Sequence, residues 1–218
     1  MSVRKEQVVQ TLCDTGVVAV IRVDDPTDLL EVSRALIEGG VKMVEITMTV
    51  PGALDIINSV SKELGDAVHI GAGTVLDAVT ARMAILAGAS YVVGPNFDPE
   101  VVAACRLYDV AVMPGALTPT EIVNAWKAGA DVVKVFPGRV CTPGYFQDIK
   151  GPLPQIKLMP TGNVDFNTAP EYIKVGAVAI GVGKALVDAK AVKAKDFGLI
   201  TENARKFRQI VVDAREGK

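Results

Sequence analysis

One lysine interrupts an apolar run in the second half of the chain. Lys134 stands in DVVKVFP, residues 131–137, among β-branched residues that favour a buried strand. A lysine is almost never fully buried unless it is paired or functional. If alternation turns Lys134 toward the interior together with Val132 and Phe136, burial disfavours the ammonium and enlarges the fraction of neutral, nucleophilic amine. The residues alone leave two interpretations open: a lysine that forms a Schiff base, or one member of a structural ion pair.

Glu45 interrupts an earlier apolar run, MVEITMT at residues 43–49, in the same way. An apolar environment raises the pKa of a carboxyl group toward neutral pH, where it can move protons as an acid or a base. The alternative is a plain buried salt bridge with a lysine such as Lys134.

Further polar groups and glycines stand where apolar runs end. Arg22, Thr47 and Thr74 are candidate substrate-binding residues at the ends of the first three runs. The last two runs end in Thr161-Gly162-Asn163 and in Gly181-Val182-Gly183-Lys184. Glycines allow the backbone to approach an anion closely, and Lys184 adds a positive charge. These two segments are therefore candidate phosphate-binding loops.

Eight short apolar runs alternate with amphipathic, helix-like stretches. Runs that are apolar throughout are typical of parallel strands covered on both faces. Eight such units predict a closed (β/α)8 TIM barrel, an α/β fold in which residues 1–218 form one domain with a helix at each end. An open doubly wound sheet is the alternative. In a TIM barrel the second and sixth strands share side-chain layers, so Glu45 and Lys134 can face each other. The runs are 17–23, 43–49, 67–73, 91–95, 110–114, 131–137, 156–160 and 177–183.

Two helix starts carry capping signals. Asp25 is the predicted cap of the helix that follows the first run. Thr118 and Glu121 have the spacing of a capping box.

The composition limits the classes of partner. The 218 residues are 50% hydrophobic and 22% charged, with a formal net charge of −2, as in a globular protein. No basic run predicts nucleic-acid binding, and no apolar run reaches the roughly 18 residues of a membrane span. The polar N-terminal stretch lacks the apolar core of a signal peptide, so the expected location is the cytoplasm.

Cysteine and histidine, the usual zinc ligands, are few. Cys13, Cys105 and Cys141 are scattered without metal-site spacing, and His69 is the single histidine. We therefore expect no metal and no cofactor. Residues 178–185 do not form a Walker A loop, because Val178 stands in place of its first glycine and Ala185 in place of its hydroxyl residue. Residues 71–76 lack the third glycine of a dinucleotide-binding motif.

Five segments together resemble the KDPG/KHG aldolase family: VEITMTVPGAL, GAGTVLD, PGALTPTEIVNAWKAGADVVKVFP, GPLPQIKLMPTGNV and GVGKALV. KDPG is 2-keto-3-deoxy-6-phosphogluconate and KHG is 4-hydroxy-2-oxoglutarate. The combination is more specific than any single segment. It implies a class I, metal-independent aldolase on a TIM barrel, usually a homotrimer. The implied reaction cleaves a 2-keto-3-deoxy sugar acid, foremost KDPG, to pyruvate and glyceraldehyde 3-phosphate.

The resemblance also implies residue roles. It puts the Schiff base on Lys134 and the acid/base function on Glu45. Further implied contacts are Thr74 at the pyruvyl carboxylate, Thr161 at the hydroxyls of the cleaved chain, Pro95 and Phe136 in the pocket wall, and the backbone at Gly162 and from Gly181 to Lys184 at the phosphate.

Three positions depart from the family pattern. Many members carry an arginine for the keto-acid carboxylate where this chain has Thr49, and we hypothesise that Arg22 supplies that guanidinium instead. Asn163 replaces a glycine and adopts a left-handed conformation less easily. Lys184 replaces a serine and can strengthen phosphate binding or accept a carboxylate instead.

Alternative substrates and activities stay open at this point. The substrate alternatives are the galactonate epimer of KDPG, 4-hydroxy-2-oxoglutarate and an unphosphorylated keto acid. A phosphosugar isomerase or epimerase on the same barrel would interconvert substrates without releasing pyruvate. A non-catalytic keto-acid binder is expected to have lost the lysine-carboxylate pair.

Overall fold

The computed structural model describes residues 5–23 and 27–217. Nine β-strands and ten α-helices lie in these residues, and a 3-10 turn spans Gly65–Ala67. The strands are β1 (Val17–Ile21), β2 (Met43–Thr47), β3 (His69–Gly73), β4 (Tyr91–Val93), β5 (Ala111–Met113), β6 (Gly115–Ala116), β7 (Val133–Val135), β8 (Leu158–Pro160) and β9 (Ile180–Val182). The helices are α1 (Lys5–Thr15), α2 (Leu29–Glu38), α3 (Ala53–Leu64), α4 (Ala78–Ala87), α5 (Pro99–Leu107), α6 (Pro119–Ala128), α7 (Pro143–Lys150), α8 (Ala169–Lys174), α9 (Ala189–Lys193) and α10 (Phe197–Arg215).

The strands close into a ring of parallel neighbours. One sheet has the order β5-β4-β3-β2-β1-β9, and the other has the order β6-β7-β8. Only Pro114 separates β5 from β6 along the chain, and its carbonyl accepts the Lys134 N–H at 2.9 Å. At the other seam Thr161 pairs with Gly181, which joins β8 to β9. The predicted TIM barrel is therefore confirmed, rather than the open doubly wound sheet.

Alternation along the strands sorts the apolar residues into two cores. Ile46, Val133 and Ile180 point outward and belong to the large core beneath the helices. Val18 and Met43 point inward and belong to a smaller cluster inside the barrel. Every residue of β2 and β7 is buried, so a polar side chain on their inner faces is shielded from bulk solvent.

Helix α1 closes the amino-terminal end of the barrel. Val8 and Leu12 are fully buried and belong to the interior cluster, not to the outer core. Lys5 forms an ion pair with Asp131 at 3.3 Å, just ahead of β7. The barrel interior is therefore covered below and open toward the carboxyl ends of the strands.

The capping box predicted at Thr118 and Glu121 is confirmed at the start of α6. The Thr118 hydroxyl accepts the Glu121 N–H at 3.3 Å, and the Glu121 carboxylate accepts the Thr118 N–H at 2.8 Å. The predicted cap Asp25 lies outside the described residues. Within those residues, no helix combines the length and the apolarity that a bilayer crossing requires.

Candidate active site

A cavity of about 690 Å³ opens at the carboxyl ends of the strands. Active sites of TIM-barrel enzymes lie at this end. Lys134 and Glu45 reach the cavity from β7 and β2. The residues that were expected at a site and that line this cavity are Arg22, Glu45, Thr74, Pro95, Lys134, Phe136, Thr161, Gly162, Asn163, Gly183 and Lys184.

Lys134 is the buried amine of the cavity. It is the middle residue of β7 and is 5% exposed. Its register partners are Gly115 on β6 and Met159 on β8. The Lys134 Nζ lies 5.3 Å from the centroid of the Phe136 ring. An aromatic face at this distance stabilises a positive charge, including the charge of an iminium nitrogen.

Glu45 is the buried carboxyl group. It is the middle residue of β2 and is 1% exposed. Burial raises its pKa above the usual 4.5, while the charges of Lys134 and Arg22 act in the opposite direction with smaller effect. Neither carboxylate oxygen has a hydrogen-bond partner among the described residues. Glu45 and Lys134 therefore share a cavity without a direct hydrogen bond, unlike the two members of a plain buried salt bridge.

A glycine makes the room that Glu45 occupies. A Cβ atom built at Gly73 would lie 2.0 Å from the Glu45 Oε1 and 2.6 Å from its Cδ. These separations are far inside van der Waals contact. Gly73, at the end of β3, is therefore required for the observed position of the carboxylate.

Three residues at the cavity have a left-handed backbone. Thr74, Gly162 and Asn163 have φ angles of 60°, 88° and 58°. Glycine and asparagine adopt this conformation readily, whereas for a β-branched threonine it is strained. Strain of this kind concentrates at functional sites. The strained backbone of Thr74, directly after β3, therefore supports its candidate role at the site.

The two candidate phosphate loops meet at one side of the cavity. Among the described residues, the backbone N–H groups of Gly162, Asn163, Lys184 and Ala185 donate no hydrogen bond. The first N–H groups of the nearby helix α9 are not available in the same way, because the Asp188 side chain accepts those of Lys190 and Ala191. An anion would therefore be bound by loop N–H groups and the exposed Lys184, not by the helix terminus.

Arg22 lies at the rim. It is exposed, it lines the cavity, and its charge acts on Glu45. It also lines an adjoining cavity of about 510 Å³ together with Lys193 and Lys195. This position is compatible with the hypothesis that Arg22 supplies the guanidinium missing at Thr49.

Three residues expected to bind substrate do not line the cavity. Thr47 is fully buried, and its Oγ1 lies 2.8 Å from the Oγ1 of Thr49. The Val182 side chain packs in the outer core. Gly181 lies under Thr161, because a Cβ atom there would come within 2.4 Å of the Thr161 Oγ1.

One charged residue of the cavity wall was not predicted from the sequence. Asp165 lines the cavity, and its carboxylate accepts the N–H groups of Asn167 and Thr168, each at 2.9 Å. The Thr168 N–H bond is the main cause of the lowered pKa of this carboxyl. The D-x-x-T spacing of residues 165–168 was the available signal, since it is typical of a local side-chain cap.

No group of three or more His, Cys, Asp and Glu side chains in the described parts of the chain could hold a metal ion. The groups that line the cavity are two amines, two carboxyl groups, the Arg22 guanidinium, threonine hydroxyls and backbone N–H groups.

The fold and the cavity define a TIM-barrel enzyme whose polar groups lie at the carboxyl ends of the strands. The family model of KDPG and KHG aldolases matches residues 8–203. The chain belongs to this family of aldolases, which are lyases, and the resemblance seen in the sequence is confirmed.

Individual relatives agree with this assignment. The chain is 34% identical over 196 residues to a 2-dehydro-3-deoxy-phosphogluconate aldolase of Treponema pallidum, covering 89% of this chain and 93% of that protein. It is 31% identical over 199 residues to the KHG/KDPG aldolase of Escherichia coli K12, covering 90% and 92%. A crystal structure of the KDPG aldolase of Legionella pneumophila, with pyruvate captured as a covalent carbinolamine intermediate, is 26% identical and aligns with a TM-score of 0.85 over 90% of this chain and 96% of that one.

Proposed function

We propose that this chain is a class I aldolase that cleaves KDPG to pyruvate and glyceraldehyde 3-phosphate through a Schiff base on Lys134. The observation that carries the proposal is a 5% exposed lysine and a 1% exposed glutamate lining one cavity at the carboxyl ends of the strands. The carbinolamine trapped in the Legionella pneumophila relative is the intermediate that such an amine forms.

The proposed reaction begins when the neutral Lys134 amine attacks the C2 keto carbon. Glu45 moves the protons as the carbinolamine loses water and becomes an iminium. Glu45 then takes the proton of the C4 hydroxyl, directly or through water, and the electrons of the C3–C4 bond flow into the iminium. The aldehyde leaves, and the resulting enamine is protonated at C3. One water molecule hydrolyses the iminium, which releases pyruvate and restores the amine.

The two ends of the substrate would meet different parts of the cavity. Arg22 and Thr74 are proposed to bind the carboxylate of the pyruvyl half. The N–H groups of Gly162 and Asn163, which have no acceptor among the described residues, are proposed to bind the phosphate together with Lys184. Thr161, whose hydroxyl has no partner within the described residues, would face the hydroxyls of the cleaved chain.

Borohydride trapping tests the nucleophile. Reduction in the presence of pyruvate should add one reduced pyruvyl group to the protein, and peptide mapping should locate it on Lys134. Lys134→Arg keeps a cationic side chain but should give no adduct and no turnover, whereas the control Lys157→Arg should behave as the wild type. An adduct on Lys157, or none in the wild type, would contradict the proposal.

A coupled assay of pyruvate release tests the substrate. KDPG should have the highest kcat/KM among KDPG, its galactonate epimer, the unphosphorylated sugar acid and 4-hydroxy-2-oxoglutarate. A preference for one of the other three would retain the reaction class and change the substrate. Interconversion of a phosphosugar without pyruvate would indicate an isomerase or epimerase.

We also propose that the chain assembles as a homotrimer through helix α4. Val79, Met83 and Leu86 follow one face of α4 and are 69%, 49% and 66% exposed. The opposite face buries Ala81 and Ala84 against the barrel, so α4 is apolar on both sides. Three large apolar side chains exposed along one helix face are typical of an interface between subunits.

A further inference from the structure

Tyr91 is a buried polar side chain without a role in the proposed reaction. It is the first residue of β4, is fully buried, and belongs to the cluster inside the barrel. Its hydroxyl has no hydrogen-bond partner among the described residues. Because a buried hydroxyl without a partner costs free energy, the presence of tyrosine here rather than phenylalanine requires a physical reason.

Two glycines of β3 bring Tyr91 next to Glu45. Gly71 is paired with Glu45 on β2 and with Tyr91 on β4. A Cβ atom at Gly71 would lie 2.3 Å from the Tyr91 ring, and one at Gly73 would lie 2.0 Å from the Glu45 Oε1. The ring therefore covers Gly71 and the carboxylate covers Gly73. Since Gly73 is two residues nearer the open end, the ring lies one layer below the carboxylate.

Few groups face Glu45 in the described interior. Lys134 acts on it from β7 and Arg22 from the end of β1, while the inner face of β3 contributes only glycines near it. Tyr91 faces it from β4. Burial, followed by the charge of Glu45, raises the pKa of Tyr91 well above its usual value. The phenol therefore remains a neutral O–H donor beside a carboxylate whose oxygens have no partner within the described residues.

We propose that Tyr91 is a positioning residue whose hydroxyl, through one bridging water molecule, makes a hydrogen bond to the ionised carboxylate of Glu45. This bond orients the base above Gly73 and favours its ionised form, which is the form that removes the C4 hydroxyl proton. The inference rests on the proposed function of Glu45, but it concerns a residue outside the cavity wall.

Tyr91→Phe tests this role without opening a cavity. A donor to the charged form lowers a carboxyl pKa, so its removal should raise the pKa of Glu45. The acid limb of the kcat/KM profile should move up by about one pH unit, the size that the net free energy of one hydrogen bond implies. At neutral pH kcat should fall several-fold with little change in the KM for KDPG. The variant should stay folded, since phenylalanine keeps the buried ring over Gly71.

The matched control is Tyr145→Phe, in which the lost hydroxyl donates to the Leu117 backbone carbonyl. It should leave the pH profile unchanged. Borohydride trapping of pyruvate on Lys134 is measured in the wild type and in Tyr91→Phe. An adduct in both proteins with an unmoved acid limb would overturn the role of Tyr91 and retain the proposed reaction. Absence of an adduct in the wild type would overturn both.

Discussion

At the scale of single residues, the cavity holds one carboxyl group in surroundings that oppose its charge. Glu45 is buried without a hydrogen-bond partner in the described structure, and its pKa is raised. A stable core would not keep such a group, because burying a carboxyl group without partners costs free energy. The position is therefore one where function and stability conflict.

Glu45→Gln should make that conflict measurable. The folded-state pKa of Glu45 is raised, so its favourable contribution is present below about pH 4.5 and is lost as the pH rises through the raised value. Glutamine mimics the protonated form at every pH. The variant should melt close to the wild type at pH 4 and about 3 °C higher at pH 8, which corresponds to about 1 kcal/mol in a chain of this length.

The measurement is a series of thermal melts at matched protein concentration from pH 4 to pH 8, together with turnover. Glu45→Gln should be almost inactive throughout. A difference in melting temperature that stays constant with pH would mean that Glu45 does not titrate differently in the folded and unfolded chains.

Arg22→Met should weaken binding of the keto acid rather than slow its chemistry. Loss of a charge-assisted bond to a carboxylate costs about 1.5–3 kcal/mol, so the KM for pyruvate in the synthetic direction should rise about 10- to 100-fold. Arg22→Lys should recover part of the affinity, because lysine keeps the charge but not the bidentate geometry. The control is Arg205→Met, which removes a surface ion pair with Glu38. An unchanged KM in Arg22→Met would remove the hypothesis.

The sequence predicted most of the residues around the cavity, because polar residues in apolar strands are visible as exceptions. Lys134 and Glu45 are examples. Tyr91 was not predicted, since a tyrosine in an apolar strand looks like an ordinary core residue. Thr47 was expected at the site from its place at a strand end, and its hydroxyl is paired with that of Thr49. Val182 was expected to contribute only its backbone, and its side chain packs in the outer core.

At the scale of elements, β3 contributes to the site because two of its inward-facing positions have no side chain. Its inner face carries Gly71 and Gly73, and side chains from the strands on both sides occupy the space. The sequence showed the glycines but could not show which neighbours use them, because that depends on the register of β2 and β4. The break between β5 and β6 was not predicted for the same reason. The sequence shows Pro114, but not that β5 pairs with β4 while β6 pairs with β7, because that pairing follows from closure of the barrel.

Gly73→Ala should disable the base while keeping the fold. The new methyl group would require the Glu45 carboxylate to move, and a displacement of about 1 Å at a reacting group can cost about 100-fold in rate. Borohydride trapping should still mark Lys134, because the amine is on β7, but more slowly, because Glu45 moves the protons as the iminium forms. The control is Gly198→Ala in α10, where a Cβ atom would come no closer than 3.6 Å to the Asp196 side chain. Full activity of Gly73→Ala would show that the carboxylate has room elsewhere.

At the scale of the whole molecule, the closed barrel could be predicted from the sequence, but the exposed apolar face of α4 could not. Eight apolar runs with intervening helices have few compact arrangements, and the closed barrel is the observed one. The apolar outer face of α4 was not predicted, because its residues look like core residues in a sequence.

Val79→Lys combined with Leu86→Lys should separate the proposed trimer. The two charges would have to be buried without partners in an interface, which costs several kcal/mol. Sedimentation velocity should show a mass near three chains for the wild type and near one chain, 23.0 kDa, for the variant. Glu202→Lys on α10 is the control and should sediment as the wild type. A wild-type protein that sediments as a single chain would rule out the trimer.

Helix α1 has a consequence for the sequence of events in catalysis. Since it covers the barrel beneath the interior cluster, the mouth at the carboxyl ends of the strands is the route to the cavity that the described residues leave. The three-carbon fragment attached at Lys134 would be the deeper of the two products, and the aldehyde would stand between it and solvent. Departure is then obligatorily ordered, aldehyde before pyruvate, and in the reverse direction pyruvate must load first. Pyruvate should accordingly inhibit competitively against the sugar acid, and the aldehyde should not.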